Sequence, residues 1–397
     1  MTDAKLLIVA DDLTGGLDTG VQFARQGIST RVAVNPGAGG NWAQTEAQVL
    51  VAVAETRHMP PEAAYDTVFG IVSVGRRAGI PYIYKKTDSA LRGNIGAELS
   101  AALKASGKDV LAFLPAYPAM NRITVRGCHY IDGVPVAQSM FGKDPFNPVM
   151  ESDIQKLIGI QTDTPVTGEE DAGKGILVVD AQSDEDLKEA GRRLAGKGYL
   201  SVCAGCAGFA AFLPDLIGLD KGEVFEDPDL GESLLVISGS LNPVTLKQLE
   251  AAEENGFKRI CPEPGEEISV LAEELSNEKW VILDSSGMDP ESAAFRDYVQ
   301  KKGLEGEETR VCIASFLAEI MAELPKTYEG TVMVIGGDTL LACLERLGCK
   351  DLEPLAELFP GVVLSRYMAG DKERMLISKS GGFGSGRLLL DLRGMMK

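Results

Sequence analysis

The sequence predicts an α/β protein of two domains, each a mainly parallel sheet covered by helices, with a cleft between them. Three observations carry this reading. Short β-branched or Leu-rich runs alternate with amphipathic segments along most of the chain. Its 397 residues exceed one ordinary core. An acidic, turn-rich stretch, GLDKGEVFEDPDLGES at 218–233, interrupts the alternation. The expected boundaries are a first domain at 1–222, a linker at 223–233 around Asp227-Pro228, and a second domain at 234–397.

In the first domain, strands are expected at 6–10, 29–34, 49–54, 82–86, 110–114, 176–180 and 200–204, with helical patterns at 15–26, 60–78 and 96–106. Residues 121–151 break the rhythm with Gly, Pro and Asn and are expected to form an excursion over one end of the sheet. The second domain repeats the alternation: strand 234–238, helix 243–255, strand 259–261, helix 266–275 and strand 280–284. Then come strand 331–335, helix 339–347 and strand 375–379. No repeat of fixed period and no low-complexity tract is present.

Charge narrows the function. Lys and Arg number 39 against 58 Asp and Glu, a net −19, which opposes nonspecific nucleic-acid binding and anionic membrane surfaces. The imbalance is uneven, −5 through residue 222 and −14 beyond it. A small anion can still bind such a protein through a local basic cluster. The N-terminal stretch lacks a signal-peptide pattern and no run approaches 18 uncharged apolar residues, so a cytoplasmic protein is expected. Seven scattered cysteines read as reduced thiols, with Cys203-Ala-Gly-Cys206 as a buried strand-to-helix step. Only two histidines, His58 and His129, are available, and neither a G-x-S-x-G elbow nor an H-E-x-x-H pair occurs, so hydrolase readings are weak.

Candidate functional residues gather at strand ends, where parallel sheets place ligands. The first strand runs into Asp11-Asp12-Leu13-Thr14-Gly15-Gly16, offering a helix cap, an acceptor for a substrate hydroxyl, or a general base. The segment Lys85-Lys86-Thr87-Asp88-Ser89-Ala90-Leu91-Arg92-Gly93-Asn94 supplies three cations and an anion before a helix, the composition of an anion site. Arg57 ends another strand, and the 115–127 stretch adds Arg122 and Arg126. The second domain instead ends its strands in small residues: Ser238-Gly239-Ser240, Gly336-Gly337-Asp338-Thr339, and Lys379-Ser380-Gly381-Gly382-Phe383-Gly384. Such turns let backbone amides approach phosphates closely. Neither a Walker A motif nor a G-x-G-x-x-G fingerprint is present.

These motifs, in this order and spanning nearly the whole chain, resemble the four-carbon acid sugar kinase family, whose members phosphorylate threonate, erythronate or 3-oxotetronate. The resemblance implies a sugar-acid-binding N-terminal domain and a nucleotide-binding C-terminal domain. It implies Asp11, Asp12, Arg57, Lys86, Asp88, Ser89 and Arg92 at the substrate site, and Ser240, Gly336, Gly337, Asp338, Thr339, Gly381 and Gly382 at the ATP site. The expected reaction moves the γ-phosphoryl of ATP to the terminal C4 hydroxyl. Asp12 contacts that hydroxyl as the catalytic residue, and Arg57 with the Lys86–Arg92 segment grips the carboxylate. Asp338 helps hold Mg2+. Expected partners are a small anionic sugar acid and ATP, without nucleic acid or membrane, with a homodimer as the assembly to test. A nicotinamide-dependent oxidoreductase of a small hydroxy acid and a noncatalytic sugar-acid sensor are the rival readings.

Overall fold

A computed structural model describes residues 2–37, 40–144, 147–169, 173–226, 228–264, 266–305, 308–324 and 328–396. Asp227 of the expected linker lies outside the described residues. The chain divides into two compact units, Met1–Val224 and Phe225–Lys397.

In the first unit, β1 (Leu6–Ala10) leads into α1 (Leu13–Ala24), then β2 (Thr30–Ala33), β3 (Val49–Val53), α2 (Pro61–Arg77), β4 (Tyr82–Lys86), α3 (Ile95–Ser106) and β5 (Val110–Leu114). The excursion folds as a small antiparallel sheet of β6 (Arg122–Val125), β7 (Cys128–Ile131) and β8 (Val134–Pro135). After it come α4 (Ile154–Gly159), β9 (Val166–Thr167), β10 (Gly175–Val178), α5 (Asp184–Gly196), β11 (Val202–Gly205), α6 (Ala207–Ala210) and α7 (Leu213–Ile217).

The main strands lie in the order β2-β3-β1-β4-β11-β5-β10-β9, every neighbour parallel. Helices cover a parallel sheet on both faces, so its central strands are apolar throughout. Accordingly β1, LLIVA, is buried at every position. The order reverses between β1 and β4: from β1 the chain first builds outward to β2, and after β4 the remaining strands lie on the other side. Their carboxyl ends therefore form the crevice where open α/β sheets bind ligands.

In the second unit, β12 (Leu234–Ser238), α8 (Pro243–Glu254), β13 (Lys258–Ile260), α9 (Ile268–Ser276), β14 (Trp280–Asp284), α10 (Ala293–Lys302), α11 (Thr309–Ala322), β15 (Thr331–Ile335) and α12 (Gly337–Arg346) follow one another. An antiparallel meander of β16 (Asp351–Phe359), β17 (Val362–Ala369) and β18 (Lys372–Lys379) precedes α13 (Leu388–Met395). The order is β13-β14-β12-β15-β18-β17-β16. Because β18 runs parallel to β15, Lys379 pairs with Ile335 and ends at the same edge as Ser238. The reversal here falls between β12 and β15.

Each unit has its own apolar core, one around Leu7, Leu50, Ile83, Leu99 and Phe113, the other around Val236, Leu249, Met333, Ile377 and Leu392. No helix among the described residues is long and apolar enough to cross a membrane.

Candidate active site

The carboxyl ends of β1, β3 and β4 converge in the first unit. The chain leaving β3 zips along the end of β1: Ala54 N donates to Ala10 O (2.8 Å) and Thr56 N to Asp11 O (3.0 Å). This delivers Arg57 to the two aspartates. Its Nε and Nη2 donate to Asp11 Oδ2 at 3.0 and 2.7 Å, and its Nη1 donates to Asp12 Oδ2 at 2.6 Å. Asp12 is also the N-cap of α1, with Oδ1 accepting from Gly15 N (2.8 Å) and Oδ2 from the Thr14 hydroxyl (3.1 Å). Lys86 Nζ stands 3.4 Å from Asp11 Oδ1. A Cβ on residue 15 would land on Asp12 Oδ1 and Lys86 Nζ, so only glycine fits there.

Asp88 belongs to the same network. Arg92 grips it with two parallel bonds, Nε to Oδ2 (2.9 Å) and Nη2 to Oδ1 (3.0 Å), and reaches Asp144 with Nη1 at 3.3 Å. The amides of Ala90 and Arg92 also donate to Asp88 Oδ2, each at 3.2 Å. Burial raises the carboxyls of Asp11 and Asp88. The guanidinium and ammonium charges beside them outweigh it and hold both well below the usual range. Arg57 and Lys86 are stabilised as cations by the same aspartates, against the cost of burial.

Ser89 is fixed from two sides. Arg122 donates to its hydroxyl, and His129 Nε2 lies 3.0 Å from its carbonyl. A carbonyl only accepts, so Nε2 carries the proton, and Nδ1 accepts from the Thr124 hydroxyl at 3.1 Å. Burial pushes this imidazole down to about 4, which makes His129 a neutral support. Behind the site, Lys85 and Glu98 form a fully buried pair at 2.7 Å.

The sequence reading gave Arg57, with the Lys86–Arg92 segment, the grip on a substrate carboxylate; in the structure its Nε, Nη1 and Nη2 donate to Asp11 and Asp12 and so orient those aspartates. Glu55 is the residue it missed, and Arg122, which it had noted only as a basic residue of the 115–127 stretch, reaches the Ser89 hydroxyl. Glu55 accepts from Leu13 N with Oε1 at 2.8 Å, beside Asp12 at the start of α1. Burial, and then the charge of Asp12, push its carboxyl up to about 8. The one available signal was its position next to Arg57 at a strand end.

In the second unit the edge is built from small residues. Ser240 Oγ accepts from Asn242 N (3.3 Å), and Asn242 caps α8 by accepting from Val244 N (2.9 Å). Gly336 sits at φ 109° before α12, whose start has no side-chain cap. That leaves first-turn amides at Gly337, Asp338 and Thr339 to meet an anion. A Cβ on Gly381 would stand 2.5 Å from Ser240 Oγ, and one on Gly239 would strike Thr339 Oγ1. Ser240, Gly336–Thr339 and Gly381 are thus brought to one edge. Gly382 lies beside Asn242 in the same turn.

Lys379, 1% exposed, lies beneath this edge. It donates to Thr245 Oγ1 and Gly381 O, both at 3.1 Å, and Thr245 donates to Gly381 O at 2.7 Å. No carboxylate among the described residues pairs with it, and burial pushes its amine down to about 7. Asp338 is ion-paired to Arg310 through Oδ1 at 2.6 Å and is 42% exposed on its side chain. Among the described residues no group of three potential ligands could hold a metal by itself.

A charge-meshed site on one unit and a glycine-lined edge on the other suit a two-substrate group-transfer protein. Residues 6–213 match the model of a sugar-binding N-terminal domain, and residues 235–389 that of a nucleotide-binding C-terminal domain. A D-threonate kinase of Bordetella bronchiseptica is 31% identical, over 96% of this chain and 95% of its own. A D-threonate kinase of Salmonella typhimurium is 27% identical, over 98% and 97%. Other relatives of similar span are named D-erythronate kinase and 3-oxo-tetronate kinase. A solved Salmonella typhimurium structure, 19% identical, shares the fold with a TM-score of 0.78 over 99% of both chains. The chain belongs to the four-carbon acid sugar kinase family, and it is a kinase.

Proposed function

We propose that this kinase transfers the γ-phosphoryl of ATP to the C4 hydroxyl of a four-carbon sugar acid such as threonate, erythronate or 3-oxotetronate. The observation that carries the reading is the mesh of Asp11, Asp12, Asp88, Lys86, Arg57 and Arg92 at the β1/β4 reversal. Carboxylates accept from sugar hydroxyls and cations meet a carboxylate, so an acid bearing several hydroxyls matches both. Lys86, Ser89 and Arg92, with Arg122 beside them, bind the acid's carboxylate. Asp11 and Asp88 hold these cations in place, and Asp12, locked by Arg57 and the α1 cap, orients the attacking hydroxyl. Positioning of this kind is most of what phosphoryl transfer asks of a protein.

ATP is read by Ser240, Gly336, Gly337, Thr339, Gly381 and Gly382, largely through backbone amides. Mg2+ would accompany the phosphates and spread their charge, with Asp338 as its protein carboxylate. The test is ADP release from the full chain with D- and L-threonate, D- and L-erythronate and the 3-oxo acids, followed by 31P–13C NMR of the product. Acid-dependent ADP with phosphorus coupled to C4 is expected. Silence with every acid would refute the substrate class, and phosphorus on another carbon would refute the C4 assignment.

A further inference from the structure

We propose that Glu55 is the catalytic base of this transfer, receiving the proton of the attacking hydroxyl on Oε2. The assignment rests on the kinase reading above and names the proton acceptor which that reading leaves open.

Four carboxylates surround the end of β1, and three of them have both oxygens engaged. Asp11 is held by Arg57 and Lys86, Asp12 by Gly15 N, the Thr14 hydroxyl and Arg57, and Asp88 by Arg92 and two amides. A proton arriving on any of these must displace a cation or a cap, which makes each a poor base. Glu55 differs. Its Oε1 accepts the single bond from Leu13 N, and its Oε2 makes no hydrogen bond or ion pair among the described residues.

The backbone turns this side chain toward α1. Glu55 has φ 49°, a left-handed conformation that a side-chain-bearing residue rarely adopts. The hydrogen bonds of Ala54 and Thr56 to β1 on either side hold it there. Local strain kept in place by its surroundings is a recurrent feature of functional positions. The charged groups facing Glu55 are Asp12 and Asp11 from the β1–α1 turn and Arg57 from its own segment. The two aspartates raise its proton affinity, Arg57 and the Leu13 amide lower it, and burial brings the balance near the pH at which a base works best.

In the step itself, the hydroxyl oxygen bonds to Pγ as the bond from Pγ to the bridging oxygen of ADP breaks. The leaving ADP keeps that electron pair. The hydroxyl proton passes to Glu55 Oε2 and then to water, giving the phosphorylated acid, ADP and one proton.

The experiment measures ADP release from the full chain between pH 5.5 and 9.5, with ATP and whichever acid the wild type accepts, for wild type, Glu55→Gln and Glu55→Asp. Wild-type kcat/KM should rise with pH through an apparent pKa near 8 and level off above it. Glu55→Gln should lower kcat by about 10²–10⁴-fold, leave KM for ATP unchanged and lose the rising limb. Glu55→Asp should keep the limb at a reduced plateau, which tests the idea even if the Gln variant does not fold. A Gln variant within threefold of wild-type kcat, or one retaining the limb, would overturn the proposal. A wild type silent with every acid would instead overturn the kinase reading and this proposal with it.

Discussion

At the strand ends of the first unit, cations and carboxylates interlock: one guanidinium joins Asp11 to Asp12, a second clamps Asp88, and Lys86 closes the set. At the strand ends of the second, Ser240, Gly336 and Gly381 line the edge, and the buried lysine beneath them, Lys379, touches a hydroxyl and a carbonyl. The two edges occupy equivalent places, each at the reversal of strand order in a mainly parallel sheet. In the proposed reading, what differs is how each ligand is recognised. A small acid with few atoms needs fixed charges and acceptors at defined points. A phosphate chain is matched by backbone amides, which carry no net charge and need glycine for close approach. On the proposed reading, the formal charge of −14 in the more acidic part is compatible with nucleotide binding, because the edge offers backbone amides rather than carboxylates.

The largest way to break this contrast is Arg57→Met. It would leave buried Asp11 and half-buried Asp12 without their main counter-ion, and urea denaturation should give a loss of about 3–5 kcal/mol. A change below 1 kcal/mol would mean that the mesh is not structural. Lys379 provides the converse case. Its amine titrates near 10.5 when unfolded and about 7 when folded. Between those values the unfolded chain holds a proton that the folded chain has lost, so wild-type stability rises with pH. Relative to Lys379→Met, the wild type should gain on the order of a few kcal/mol between pH 6.5 and 9.5, measured by paired urea melts. Parallel pH curves would refute an unpaired buried amine.

Smaller effects sharpen the comparison. Gly15→Ala pushes a methyl group into Asp12 and Lys86, so a loss of about 1–3 kcal/mol is expected in thermal melts, with a raised KM for the acid. Asn242→Ala removes the cap of α8 and should cost about 1 kcal/mol, with a modest rise in KM for ATP.

The sheet of the first unit was legible because each buried strand reads as a continuous apolar run, as in β1, β3 and β5. The strand-end motifs around Asp11, Lys86 and Gly336 were legible for the same reason, since the runs fix where each strand stops. Among the features that were not, three are instructive. Helix α11, TRVCIASFLAEIMA, is apolar around most of its circumference and lacks a polar face to mark its period. Strands β16 and β17 pair antiparallel after a series of parallel strands, with Pro354 and several acids in β16 obscuring the pattern. Glu55 depends on a positive φ and on charges contributed by residues more than forty positions away, neither of which is written locally.

The division of labour between the two edges is tested most directly by steady-state kinetics on two single variants of the full chain, Lys86→Met and Gly381→Ala. The expected result is a split. Lys86→Met raises KM for the sugar acid by about tenfold or more and leaves KM for ATP unchanged, as loss of a charged contact worth about 1.4 kcal/mol or more would do. Gly381→Ala does the reverse. If both variants raised the same KM, or if Lys86→Met weakened ATP while sparing the acid, the assignment of the charge mesh to the acid and of the glycine edge to the nucleotide would be contradicted.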